Sequence, residues 1–451
     1  MLEPLYSIEE MRAAEARYPG YPETAPELME RAGRSVADEC IRAFPEARRF
    51  AVVCGGGSNG GDGRVAAGYL RQAGREATET DDLAGAEVVV DALFGTGFRD
   101  APRQEAAALI ERINASGLPV VSVDVPSGVD ASTGEVAGAA VDADVTVTFH
   151  AVKVGLAVAP GRFHTGRVVV APIGLERSPT AVVRATPAVL DRVPRREGPD
   201  SKFTAGSLLV VGGAPGTTGA AVLTACAALR ADAGYVTLAV PNESLHVAEV
   251  LALEPVKRGF DYSTAVETLA SDLERSAALA IGPGLGRSPE ARALVHWLLA
   301  RAAVPAVVDA DALFGLELPQ REAPTVLTPH AGELARLLDV ESAWVTAHRL
   351  AAATRAAETF GAVVLLKGAD TIVRGPDGTT VVCDAGPPSL ATAGTGDVLT
   401  GILGAFLAKG LDATDAAVAA AVAHGRAAAS VPHQAGLVAS DVIAALPAVL
   451  P

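Results

Sequence analysis

Cysteine, aromatic residues, positive charge and long apolar runs are all scarce in this chain, and each scarcity closes a class of functions. Of 451 residues only Cys40, Cys54, Cys226 and Cys383 are cysteine, and none of them has CxxC spacing. Neither a disulfide framework nor a zinc site is expected, and a reducing cytoplasmic location fits. Aromatics make up 4% of the residues, so the cores must be built from Ala, Val and Leu. The 37 Lys and Arg against 53 Asp and Glu leave a net charge of −16, which argues against nucleic acid or an anionic membrane as partner. Any phosphate ligand must therefore be held by local groups. No apolar run reaches the roughly 18 residues of a membrane span, and the acidic start MLEPLYSIEEMRAAEARY lacks the apolar core of a signal peptide.

What the chain does have is glycine, gathered where short β runs end. Its length predicts two domains, and the strand and helix signals fall into two series. Ser7-Ile8-Glu9-Glu10 is a capping box opening a helix to about Arg17, and a second helix runs from about Glu27 to Phe44. Strands at Phe50–Cys54, Glu87–Leu93, Pro119–Val125 and Asp144–Phe149 then alternate with helices near Gly63–Ala73 and Pro102–Ala115. Alternation of this kind predicts a parallel sheet covered by helices, with ligands at the carboxyl ends of the strands.

The loops there are GGGSNGGDG (55–63), DALFGTG (91–97) and DVPSGVD (124–130). The first matches neither GxGxxG nor a P-loop, yet it has the character of a phosphate cradle at a helix N-terminus. Asp62, Asp91 and Asp124 stand in successive loops, able to surround a cation or to serve acid and base chemistry, although each alone could be turn chemistry. Lys153 follows the fourth strand and could pair with a carboxylate. Residues 171–200 carry prolines and Arg-Arg, the composition of a linker, which puts the boundary between domains 1–195 and 196–451.

From Lys202 the alternation restarts with strands near 207–211, 235–240, 277–281, 306–309, 325–327 and 362–366, followed by a β pair. The stretch Gly386–Gly410 then feeds the GTGD turn, Gly394 to Asp397, into an apolar helix from Val398 to Ala408. Free amides at such a helix start suit an anion, and Asp397 beside them is either a helix cap or a base. Alone, GPGLG is a flexible turn and His330 a structural histidine. The Ala-rich helix Ala413–Ala429 is predicted to be buried.

Taken together, GGGSNGGDG, DALFGTGF, VDVPSGVD and FHAVKVGL resemble the epimerase half of the bifunctional NAD(P)H-hydrate repair enzymes, over roughly residues 1–170. The resemblance implies a hydrate site at Ser58, Asn59, Gly60, Gly61 and Asp62 and at Gly95, Thr96, Gly97, Phe98, Arg99, Asp100 and Ala101. It implies a potassium ion on Asn59, Asp91 and Ser127, with Asp124 and Lys153 in proton transfer at the epimerised carbon. The second series, VVGGAPGTTGAA, GPGLG, VDADAL, TPHAGEL, LLKGADT and ATAGTGDVLTG, is similar to the ribokinase-like superfamily and, within it, to the ADP-dependent dehydratase half of the same enzymes.

That similarity implies that Ala220, Gly284, His330 and Asp397 meet the hydrate. Lys367, Gly368, Ala369, Asp370, Thr371 and Gly396 would hold ADP, with Mg2+ accompanying it. The expected fold is two doubly wound α/β domains, a Rossmann-like αβα domain and a ribokinase-like one. The expected activity is epimerisation of NADHX and NADPHX and ADP-dependent dehydration of the S epimer, and a homo-oligomer is expected. Two other readings stay open: a vitamin or sugar kinase with an accessory nucleotide-binding domain, and a non-catalytic binding module.

Overall fold

Runs of Val, Leu and Ile too short for helices, apolar on both faces, are the signature of parallel strands covered by helices on either side. The computed structural model of the protein, which describes residues 2–196, 198–199 and 201–451, arranges these runs in two sheets. Met1 and, in the expected linker, Glu197 and Asp200 lie outside the described residues. The chain divides into two compact units: Pro4–Val183 with Thr346–His348, and Arg184–Val345 with Arg349–Pro451 and the first residues of the chain.

After β1 (Leu2–Leu5), the N-terminal unit contains β2 (Arg49–Cys54), β3 (Glu76–Glu79), β4 (Val88–Ala92), β5 (Val120–Val123), β6 (Val145–Phe149) and β7 (Arg167–Ala171). They pair in the order β3-β2-β4-β5-β6-β7, parallel throughout. Strands β4, β5 and β6 are buried at every position. Ser7 opens the first helix, Ile8–Ala16, as a true capping box, its Oγ accepting from Glu10 N at 3.2 Å and its own N donating to Glu10 Oε2 at 2.7 Å. Strands β3 and β7, which the sequence reading left out, form the two edges of this sheet, and their residues are mostly exposed or half-buried.

The other sheet has eleven strands. It consists of β1 together with β8 (Val182–Ala185), β9 (Ser207–Val211), β10 (Tyr235–Pro241), β11 (Val256–Phe260), β12 (Ala278–Ile281), β13 (Ala306–Val308), β14 (Thr325–Leu327), β15 (Val363–Leu366), β16 (Thr371–Arg374) and β17 (Thr380–Cys383). The order is β1-β8-β17-β16-β15-β14-β13-β12-β9-β10-β11. From β15 to β11 the pairing is parallel, and β15-β16-β17 is an antiparallel meander. The expected boundary at 195/196 thus falls inside the C-terminal unit, because the proline-containing segment before it supplies β8 and the 3-10 helix Pro187–Arg192.

The core of the C-terminal unit is made mostly of Ala, Val, Leu and Ile, with Phe260 and Phe406 as its fully buried phenylalanines among the described residues. Two helices, Thr395–Ala408 and Ala413–Ser430, are buried almost all round, as their composition requires. Gly401 lets the first lie against helix Thr218–Arg230, since a Cβ there would stand 2.2 Å from Thr224 O. Among the described residues no helix is long and apolar enough to cross a membrane.

Candidate active sites

In the N-terminal unit three helix and loop beginnings converge at the carboxyl ends of β2, β4 and β5. Helix Ser58–Gln72 begins five residues earlier than the glycines suggested, so Ser58 to Asp62 form its first turn rather than a loop before it. The close turn is possible because Gly60 has no side chain: a Cβ there would sit 2.0 Å from Gly55 O. Gly60→Ala must push that carbonyl away. We expect a loss of roughly 2 kcal/mol or more, read as a lower midpoint of chemical unfolding for this unit.

The pairing of β4 with β5 sets Asp91 opposite Ser122. Fully buried, Asp91 accepts from Ser122 Oγ (2.8 Å), Ser127 N (2.9 Å), Ser127 Oγ (2.6 Å) and Leu93 N (3.3 Å). Burial pushes its carboxyl above the usual carboxylate range, against these hydrogen bonds. Phe94 ties the neighbours together: its N donates to Ser127 Oγ at 2.8 Å and its O accepts from Asn59 Nδ2 at 2.8 Å. The three residues implied for potassium are thus brought together around one backbone unit.

Asp124 ends β5 in a left-handed conformation, φ 64°, unusual for a residue with a side chain. Its Oδ1 takes hydrogen bonds from Lys153 Nζ (2.6 Å), Thr148 Oγ1 (3.0 Å) and Phe149 N (3.2 Å). Lys153 is wholly buried, and its ammonium also lies within hydrogen-bond distance of Thr148 Oγ1 (3.0 Å) and Phe149 O (2.7 Å). An ammonium has three N–H bonds, and here all three have acceptors. Oδ2 of Asp124 is the oxygen left for the cavity that this residue lines, a space of about 770 Å3.

Ser58, Asn59, Asp62 and Gly95 to Phe98 line the same cavity. Asp62 is pushed up to about 8, first by burial and then by Asp124 and Glu15, so it carries its proton at neutral pH. Arg99, Asp100 and Ala101 are exposed and do not line the cavity; Arg99 pairs with Glu9 instead. Gly60 and Gly61 are packing positions, the second against Met29. Sequence reasoning missed the wall formed by Met11 and Glu15 of the first helix, Met29 of the second and Tyr21 in the turn between them, because ordinary amphipathic helices carry no motif.

In the C-terminal unit, Gly394 (φ 89°) turns the chain into helix Thr395–Ala408, again starting ahead of the expected Val398. Thr395 Oγ1 closes the turn on Leu390 O and Thr392 O, at 2.8 Å each. The N-cap is Gly394 and no side chain caps this helix. Asp397 is therefore not a cap. Its carboxyl is pushed up to about 7, by burial first and then by Asp309, with Lys367 opposing.

Around it stands a fixed set of charges. Lys367 Nζ donates to Asp309 Oδ1 at 2.8 Å and lies 3.8 Å from Glu333 Oε2, while Thr400 Oγ1 donates to Asp309 Oδ2 at 2.7 Å. Burial alone would raise Asp309, but the Lys367 ammonium and its hydrogen-bond donors hold it below the usual range. A Cβ on Gly396 would lie 3.5 Å from Lys367 Nζ, so the lysine reaches the GTGD turn directly.

His330 begins helix Ala331–Leu338, its half-exposed ring accepting from Gly332 N (3.0 Å) and Glu333 N (3.3 Å) at Nδ1. With Nδ1 an acceptor, the ring is neutral with its proton on Nε2; burial moves its pKa down. Gly284 is left-handed (φ 62°), and a Cβ would stand 2.4 Å from Thr217 O, close to the helix turn that holds Ala220. In the 367–371 loop, Thr371 Oγ1 donates to Gly368 O at 3.0 Å.

Comparison with known proteins finds relatives for both units. Residues 208–447 match the NAD(P)H-hydrate dehydratase family, and residues 25–80 and 75–155 match the YjeF-related protein N-terminus. The bifunctional NAD(P)H-hydrate repair enzyme of Moorella thermoacetica is 39% identical, covering 94% of this chain and 92% of its own. That of Escherichia coli is 37% identical over 89% and 84%. Among solved structures, the ADP/ATP-dependent NAD(P)H-hydrate dehydratase from Bacillus subtilis, co-crystallised with ATP and Mg2+, is similar at a TM-score of 0.55 and 29% identity, covering 58% of this chain and 96% of that one. A ribokinase-like superfamily protein from Enterococcus faecalis, 23% identical at TM-score 0.55, shares the fold. The chain belongs to the family of bifunctional NAD(P)H-hydrate repair enzymes.

Proposed function

We infer that the protein repairs hydrated nicotinamide cofactors in two steps, one in each unit. The N-terminal unit interconverts the R and S epimers of NADHX and NADPHX, and the C-terminal unit dehydrates the S epimer at the expense of ADP. The observation that carries the second step is Asp397, a carboxyl near neutrality in the first turn of a glycine-started helix beside the Lys367 ammonium. As base it takes the proton of the ring hydroxyl, whose oxygen then accepts the terminal phosphoryl group of ADP. The Gly394 to Gly396 amides stabilise charge on the moving group. AMP leaves, and departure of phosphate from the ester carbon together with a proton from the neighbouring ring carbon restores the ring double bond.

Magnesium would enter on the nucleotide phosphates, the usual arrangement for this ion. That fits a unit in which, among the described residues, no three His, Cys, Asp or Glu side chains form a metal-holding group. For the first step Asp124 is the proton carrier, acting through Oδ2, and Lys153 holds it in place. A potassium ion on Asn59, Asp91 and Ser127 suits an all-oxygen set of donors and would offset the cost of burying the Asp91 charge. All four cysteines are free thiols, a cytoplasmic location is proposed, and a homo-oligomer is the expected state.

The deciding experiment mixes the protein with hydrated NADH and follows the absorbance of reduced nicotinamide with ADP, with ATP or without nucleotide. Recovery that depends on ADP is the expected result. No recovery with either nucleotide would leave a kinase or a binding module as the function.

A further inference from the structure

We propose that Arg349 is the positioning residue of the nucleotide loop Lys367–Thr371, held in that role by Asp370. The inference rests on the reading that this loop carries ADP. Arg349 is 6% exposed and Asp370 1%, and both belong to the C-terminal unit. Arg349 Nε donates to Asp370 Oδ2 at 2.9 Å, while Nη2 reaches Leu366 O and Lys367 O at 3.4 Å each. One guanidinium therefore grips both ends of the loop, the backbone leaving β15 and the carboxylate just before β16. Gly368 is shaped to it: a Cβ there would lie 2.4 Å from Nη2 and 3.1 Å from Asp370 Oδ1.

Two consequences follow for how the loop works. The Asp370 carboxylate, which the motif offers as a nucleotide contact, is turned inward and serves the loop's shape. With the carbonyls of Leu366 and Lys367 drawn toward Arg349, the Lys367 side chain leaves on a fixed path to Asp309 (2.8 Å), and Lys367 N is tied to Pro329 O at 2.9 Å. A planar guanidinium spreads its five N–H bonds over three nitrogens, so it spans a carboxylate and two carbonyls that stand farther apart than a single ammonium nitrogen covers. The loop is thus shaped before nucleotide arrives, and a ligand that meets a preformed loop does not bear the cost of ordering it.

The test measures ADP affinity by equilibrium titration and the steady-state constants of dehydration in wild type, Arg349→Lys, Arg349→Met and the double variant Arg349→Met/Asp370→Leu. The double variant leaves no buried charge unpaired, a replacement that folded proteins commonly tolerate, so it decides the matter if Arg349→Met alone does not fold. Expected are a Kd and KM for ADP raised by about 10-fold or more in the Met variants, a smaller rise in Arg349→Lys, and an unchanged KM for the hydrate. ADP binding in the double variant equal to wild type, or equal losses in hydrate KM and ADP KM, would overturn the proposal. Its failure is distinguishable from that of the underlying reading: if wild type itself does not bind ADP, or Lys367→Met binds it unchanged, the loop is not the nucleotide site.

Discussion

Replacing Asp397 by asparagine is expected to lower ADP-dependent recovery of NADH from the S epimer by roughly 10³-fold or more, the scale of a lost general base, while epimerisation in the same preparation continues. Asparagine keeps the shape of the side chain and its place in the first turn. It cannot take the hydroxyl proton. In wild type the rate should climb with pH through about 7, where Asp397 becomes ionised, and this ascending limb should vanish from the residual activity of the variant. Dehydration unchanged by the substitution would remove Asp397 from the mechanism.

The same substitution makes a stability prediction of opposite sense. The Asp397 carboxyl titrates at about 7 in the folded protein against an ordinary 3.8. The folded state holds this proton more tightly than the unfolded chain does. Stability associated with the group is therefore complete below about 4 and is lost as pH rises to about 7. Asparagine carries no such loss. Discounted for partial solvent access, the gain in the variant is about 2 kcal/mol near pH 8, shrinking to nothing near pH 4. Thermal unfolding at the two pH values measures it, and a variant no more stable than wild type near pH 8 would show that the charge is better accommodated than its burial implies.

Asp124→Ala should produce the second large effect. It removes the carboxylate from a buried ion pair and leaves the Lys153 ammonium with only Thr148 Oγ1 and Phe149 O. Breaking such a pair from one side costs about 3–5 kcal/mol, so the N-terminal unit should unfold at markedly lower denaturant. Use of the R epimer should fall to its spontaneous rate, and turnover of the S epimer with ADP should remain. The double variant Asp124→Ala/Lys153→Met separates the two roles: with no orphaned charge it should regain most of the stability and none of the epimerisation. Epimerisation by the double variant would assign the proton transfer to another group in the cavity.

Much of the site was legible because its chemistry is written in short, ordered stretches. Glycines that permit close turns, the acids Asp62, Asp91 and Asp124 and the GTGD sequence are local features, and helices open at or beside them. The errors were local as well. Helices 58–72 and 395–408 each start several residues early, since glycine lowers helix propensity without forbidding the first turn. Arg99 to Ala101 follow the motif but are exposed and do not line the cavity, whose edge here is Phe98.

By itself, then, the amino-acid order determined two α/β units, the loops that carry their chemistry and the family to which the chain belongs. The units follow from periodicity and spacing, which act over a few residues, and the family from short ordered motifs that resemble its own. Only the tertiary structure decided what each polar group does, since that depends on neighbours far away in the chain. Asp397 stops being a cap because Gly394 takes that place, and burial, with Asp309 and Lys367 beside it, sets its charge. Lys153 becomes a buried anchor because all three of its N–H bonds meet acceptors. Arg349, with no motif at all, grips the loop that the motif names. Burial and charge act through space, and no sequence spacing records them.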